Sequence, residues 1–239
     1  MRGLQSVIVY LILSLISSCK WSEPVVVWFN AESPVLAYGA HRIAKHIEPA
    51  GFSAFRNSGI KHPEWSVILI SGEDKVPLFT RQKFSDFTDL LKPEGYQILI
   101  ESDTLFVLGS TDLGCLYGIM DLIEQLGPSC NYKNLSERKV NPDIDFRAIK
   151  FNLPWAPYRP GPATDIHKET CQELEFWEEF LDMMVTNRFN ALTLWSEHLF
   201  PYMIRPTNYP EATPFNEKEL IKWQEFWKSL FHIKPERLF

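Results

Sequence analysis

The sequence predicts two consecutive units: an α+β N-terminal domain, a small sheet with helices on one face, and then an incomplete α/β (TIM-barrel-like) segment. Three observations carry this expectation. Up to residue 127 the apolar patterning runs strand, helix, strand, hairpin, helix. Residues 128–145 are polar and hold two prolines, which marks a linker. From residue 146 a strand, a loop and a helix follow one another twice, the rhythm of parallel strands joined by crossover helices.

Residues 1–19 stand apart from both units. Arg2 precedes an apolar stretch, 7–16, which is shorter than the roughly 20 residues a membrane span needs. Small residues follow, so the segment reads as a secretory signal. Ile16, Ser17, Ser18 and Cys19 resemble a bacterial lipobox. Cys19 is therefore the expected lipidation site. The expected location is the cell envelope, outer membrane or periplasm, with the membrane reached through the lipid anchor.

The first unit covers residues 20–127. Residues 25–29 form a β-rich run, Val-Val-Val-Trp-Phe. A helix is expected over 33–47, with Ser33 as its N-cap and Pro34 in its first position. Residues 65–70 make a second apolar run. Residues 95–100 and 104–109 alternate about a turn at Glu101, Ser102 and Asp103, which predicts a hairpin. Leu113, Leu116, Tyr117, Met120 and Ile123 then recur at helical spacing, and Gly127-Pro128 ends that helix. The second unit, 146–239, holds a strand at 146–153 and a loop with four prolines in residues 154–162. A helix over 168–187, a strand at 191–195, a Pro/Tyr-rich loop over 196–214 and a helix over 217–231 complete the two βα units. Two parallel strands do not close a barrel, which takes eight. The chain is therefore expected either to be cut short or to complete its sheet with strands from elsewhere.

Composition narrows the function classes. With 24 Lys+Arg against 30 Asp+Glu, the 239 residues carry a net charge of −6 and no long basic run, which argues against a nucleic-acid partner. Cys115, Cys130 and Cys171 remain once Cys19 is set aside, an odd number with no Cys-x-x-Cys pair. Neither a thiolate metal site nor a disulfide framework is supported. The glycine-rich phosphate loops, the dinucleotide fingerprint, His-Glu-x-x-His and the nucleophile elbow are all absent, and no cofactor or metal is expected. Aromatics reach 14% of the chain, which suits sugar stacking and core filling equally.

In parallel α/β folds ligands meet the loops after the strand C-termini. Those loops offer Trp155, Tyr158 and Arg159 after the first strand, and Glu197, His198 and Tyr202 after Trp195. An indole beside carboxylate, imidazole and guanidinium groups can stack a sugar face and hydrogen-bond its hydroxyls, so a carbohydrate ligand is expected. Trp155 and Trp195 can equally fill the top of a core.

The segment Gly95-Tyr96-Gln97-Ile98, the hairpin, and Gly114-Cys115-Leu116-Tyr117-Gly118 resemble the small N-terminal domain of certain glycoside hydrolases. These are the β-hexosaminidases of family 20, the α-glucuronidases of family 67 and their relatives, in which such a domain precedes a (β/α)8 catalytic barrel. The barrel-like start at residues 145–151 follows in the same order. The resemblance implies a sugar-binding arginine opening the first barrel strand, matched by Arg147, and an Asn before the second strand, matched by Asn190. Past that point the patterns part. Thr193, Leu194, Trp195, Ser196, Glu197 and His198 stand where family 20 places His residues and an Asp, and the Trp-Asp-Asn pattern of the α-glucuronidases is missing. Family 20 holds its catalytic carboxylates on later strands, and Glu197 is the one carboxylate at a strand end here. Glycoside cleavage takes two, so no catalytic residue is assigned. Arg147, Trp155, Trp195, Glu197 and His198 are the expected substrate contacts. The sequence thus suggests the N-terminal part of a secreted glycoside hydrolase acting on O-glycosyl bonds, inactive as this fragment. The alternatives are a non-catalytic cell-surface carbohydrate-binding lipoprotein and a structural surface protein that needs a second chain.

Overall fold

A computed structural model describes residues 23–73, 91–153, 161–195, 206–212 and 215–233. The first unit is built on a six-stranded mixed sheet. Its strands are β1 (Glu23–Trp28), β2 (Phe52–Arg56), β3 (Trp65–Ser71), β4 (Tyr96–Glu101), β5 (Thr104–Gly109) and β6 (Arg138–Val140), in the order β2-β1-β3-β5-β4-β6. β2, β1, β3 and β5 run parallel, and β4 is antiparallel to both β5 and β6. Helices α1 (Pro34–Ile47) and α2 (Asp112–Leu126) pack against each other and the sheet. The main core joins Val25, Val27, Val67, Ile98, Leu105 and Val107 of the strands to Leu36, Ile43, Leu116, Ile119 and Met120 of the helices. Ile70, Phe106 and Leu108 form a separate, smaller buried cluster, and side chains alternate between sheet faces.

Local chemistry sets these boundaries. The Ser33 hydroxyl accepts from the Leu36 N–H, and Thr111 caps α2 by accepting from the Gly114 N–H. Gly127 ends α2 at φ 56°, where its N–H donates to the Ile123 carbonyl. The hairpin turns on Ser102 at φ 53°. Two glycines allow α2 to lie close on the sheet. A Cβ at Gly114 would come within 2.6 Å of the Gly95 carbonyl oxygen, and one at Gly118 within 2.6 Å of a Val107 methyl. The Gly-x-x-Tyr-Gly pattern is thus a packing requirement.

The span expected to be a linker, 128–145, is corrected here. Tyr132 is buried and stacks on Trp65 at 5.6 Å between ring centroids, and β6 hydrogen-bonds along β4. Apolar stacking and edge pairing tie this segment to the first unit through residue 140.

The second unit holds β7 (Ala148–Asn152) and β8 (Ala191–Trp195), paired in parallel. Helices α3 (Pro162–Thr170), α4 (Leu174–Thr186) and α5 (Glu217–Ile233) accompany them. The single helix expected over 168–187 is two helices. Pro162 opens α3 at a first-turn position, where its missing N–H costs nothing. The chain turns at Cys171, whose carbonyl accepts from the Trp177 indole N–H at 3.0 Å. Trp177, Leu181, Met184, Trp227 and Leu230 form the buried core of this unit.

Candidate functional site

β7 and β8 present two chemically different faces. Ile149, Phe151, Leu192 and Leu194 pack among the aromatics of α4 and α5. The alternate residues Lys150, Asn152, Thr193 and Trp195 are exposed on the opposite face. The parallel register sets Lys150 opposite Thr193 and Asn152 opposite Trp195. In a barrel, the face turned away from the helices is the interior one, and the strand C-termini mark the ligand end. Trp195 sits at that end with 45% of its surface exposed. The Lys150 ammonium lies over its ring, 4.7 Å from the centroid. This face offers an ammonium, an amide, a hydroxyl and an indole, and no carboxylate among the described residues.

Of the residues singled out from sequence as sugar contacts or family matches, Arg147, Asn190 and Trp195 fall within the described part of the molecule. Trp155, Glu197, His198 and Cys19 lie outside it. Lys150, Asn152 and Thr193 were missed, although the strict alternation of Ile-Lys-Phe-Asn and Leu-Thr-Leu-Trp is visible in the sequence. Polar residues alternating with apolar ones on paired parallel strands signal that one face looks into a cavity.

Arg147 and Asn190 meet at the other end of these strands. Arg147 precedes β7, and its guanidinium pairs with Glu94, which lies just before β4. Its Nε donates to the Arg188 carbonyl at 2.6 Å and Nη1 to the Ile144 carbonyl at 2.7 Å. The same guanidinium lies over the Tyr117 ring, 5.4 Å from the centroid. Asn190 accepts from the Arg147 N–H and donates to both Glu94 oxygens, at 3.0 and 3.1 Å. Burial pulls the Arg147 pKa down, but the hydrogen bond and charge of Glu94 outweigh it and the net shift is upward. Two residues of the expected sugar site therefore form a clamp between the units in this structure. Further ties run along the same seam. The Tyr117 hydroxyl donates to the Phe189 carbonyl at 3.2 Å, Arg188 forks onto Glu124, and Val185 of α4 belongs to the first unit's core.

Tyr38 of α1 also crosses the seam, donating to Asp182 of α4 at 2.6 Å. Burial, reinforced by acceptance and negative charge at Asp182, pushes the Tyr38 phenol from 10.0 up to about 12. Its folded value lies above its unfolded one, so its contribution to stability is complete below about pH 10 and is lost as the pH climbs towards about 12. The midpoint of urea unfolding is expected to fall across that window. Tyr38→Phe should flatten part of the fall; an identical slope in the variant would show that Tyr38 does not contribute.

Among the described residues there is no group of three His, Cys, Asp or Glu side chains placed to hold a metal ion. Nor is any helix there long and apolar enough to cross a membrane.

No family model matches the sequence, and no curated protein matches it. Solved structures do. A GH138 enzyme targeting pectin rhamnogalacturonan II superposes with a TM-score of 0.68 at 23% identity, over 90% of this chain and 23% of that one. The fold is shared with glycoside hydrolases. A GH115 4-O-methyl-α-glucuronidase with specificity for decorated arabinogalactans matches at TM-score 0.51 and 16% identity, over 84% of this chain and 28% of its own. The GH84 protein CpGH84B matches at 0.52 and 14%, over 90% and 32%. The chain thus spans between about a quarter and a third of the length of these glycoside hydrolases. The glycoside-hydrolase fold accounts for both units, the α+β domain and the partial barrel that follows it.

Proposed function

We propose that this chain forms the opening part of a carbohydrate-active hydrolase and contacts sugar through the interior face of β7 and β8. The observation that carries this reading is the exposed Trp195 at the C-terminal end of β8, beside Lys150, Asn152 and Thr193. An indole with hydrogen-bonding neighbours suits a pyranose, whose C–H face is apolar and whose rim is polar. Arg147 reaches a sugar only by giving up Glu94, so the clamp role is the one its surroundings support. Secretion and lipid attachment at Cys19 belong to the same proposal, and labelled fatty acid should enter the wild-type chain and not Cys19→Ala.

The face carries no carboxylate among the described residues, and glycoside cleavage takes two. The 239 residues alone should bind oligosaccharide weakly, at roughly millimolar Kd, and hydrolyse no chromogenic glycoside. Titration of the intrinsic fluorescence with a panel of plant-wall oligosaccharides tests the binding. Trp195→Ala should abolish the response without lowering the unfolding midpoint. Turnover lost in Glu197→Gln would make the chain a catalyst in its own right. Absence of binding by the whole panel would remove the carbohydrate reading.

A further inference from the structure

Paired polar groups tie the two units along their seam, and between α1 and α4 the described residues leave an opening. A groove of about 400 Å³ lies between α1 and α4, walled on one side by Arg42, Lys45 and His46 and on the other by Asp182, Met183 and Thr186. That volume falls within the range of small-molecule sites. The three basic residues stand at i, i+3 and i+4 on α1, which puts them on one stripe of the helix. Arg42 and Lys45 are like charges at i and i+3, a placement that does not favour an isolated helix. The helix dipole favours Lys45 and His46 in the last turn, but it does not account for a cavity in front of them.

The charge balance inside the groove is one-sided. Asp182 is the acidic member of the lining. It already pairs with Arg42 at 3.4 Å and accepts the Tyr38 hydroxyl at 2.6 Å, so its charge is answered. Lys45 is exposed at the mouth and has no hydrogen-bond or ion-pair partner among the described residues. The His46 ring nitrogen Nε2 is engaged by the Gly127 carbonyl at 3.0 Å, which fixes the imidazole in the wall. Arg42 is held by Tyr38 at 2.7 Å and lies 3.4 Å from the Thr186 hydroxyl, so its guanidinium is already oriented.

We propose that this groove is a binding site for an oxyanion, the phosphate or carboxylate group of a small ligand. Lys45 supplies the free charge, and Arg42 supplies guanidinium donors already set in place, its Nη2 held by the Thr186 hydroxyl, whose own hydrogen goes to the Asp182 carbonyl. The groove shares no lining residue with the β7–β8 face and does not depend on the carbohydrate reading. A group bearing negative charge gains charge-assisted hydrogen bonds here that a neutral hydroxyl does not.

The probes are inorganic phosphate and acetate, titrated separately into the full chain at low ionic strength and followed by amide chemical shifts. Saturable shifts centred on residues 42–46 and 182–186 are expected from at least one anion, and the stronger of the two identifies the ligand's charged group. Lys45→Ala, at an exposed position, should weaken that binding about tenfold and leave the unfolding midpoint unchanged. Added sodium chloride should weaken it as well. Lack of saturation by either anion up to about 50 mM, or equal affinity in Lys45→Ala, would overturn the proposal.

Discussion

Trp65→Ala should destabilise the first unit by about 3–5 kcal/mol, the range for emptying a large buried aromatic site. The indole is fully buried at the start of β3. It stacks on Tyr132 and takes the edge of Phe52 at 6.0 Å, so its removal leaves a cavity bordered by three separate chain segments. Two of these, β2 and the stretch around Tyr132, join the sheet at its margins. Their loss of support should appear as faster proteolysis within residues 128–140 than at the hairpin of β4 and β5. The combined measurement is urea unfolding by circular dichroism with a timed protease digest. A variant that loses less than about 1 kcal/mol would show that the site collapses without cost.

The same residue explains what was legible in the sequence and what was not. β1, β3 and the hairpin announce themselves through Val, Ile and Leu at strand spacing, and α2 through its periodic face and its glycine stop. β2, Phe-Ser-Ala-Phe-Arg, has no β-branched residue, and β6 is three exposed residues. Both exist because a neighbouring strand offers unpaired hydrogen bonds, a tertiary cause that local patterning does not record. The stack of Tyr132 on Trp65 is likewise a contact across 67 positions of sequence, 132 − 65. It turned an expected linker into part of the domain. Prolines misled in a different way. The four in residues 154–162 read as loop, yet Pro162 starts α3, where proline is favoured.

At the candidate site the sequence located the strand ends correctly and named Trp195, but it passed over the polar residues within the strands. Lys150 and Thr193 resemble ordinary surface positions until the parallel pairing sets them side by side. Arg147 and Asn190 were each singled out only through the family resemblance, as the Arg opening the first barrel strand and the Asn before the second. Their chemistry in this structure follows from Glu94, which belongs to the other unit and carries no local signal.

Arg147→Ala should therefore act on the joint between the units, and the magnitude can be bounded. Removing one partner of a buried ion pair costs about 3–5 kcal/mol because the remaining charge is stranded. Here the side chains of Arg147 and Glu94 keep 18% and 21% of their exposure, so water recovers part of that loss. The backbone carbonyls of Arg188 and Ile144 also lose their Arg147 donor, while that of Asp145 keeps the Asn190 amide at 2.7 Å. We expect a loss of about 2–4 kcal/mol in the full chain. Glu94→Gln should cost less, about 1–2 kcal/mol, because an amide oxygen still accepts from Asn190 and Arg147. The double variant should show a coupling of at least about 1 kcal/mol. Arg147→Lys should not rescue, since a single ammonium does not reach Glu94 and the Arg188 carbonyl in the planar fork that the guanidinium supplies. Urea unfolding with separate probes for each unit decides the matter. Tryptophan fluorescence reports heavily on Trp177 and Trp227 of the second unit, and far-ultraviolet circular dichroism on both. In the wild type the two traces should coincide; in Arg147→Ala the fluorescence transition should move to lower urea first, because the second unit relies on this joint and on Val185 in the neighbouring core. Coincident traces and a midpoint within about 0.5 kcal/mol of wild type would mean that the clamp is a surface contact and that the guanidinium is free to serve a ligand.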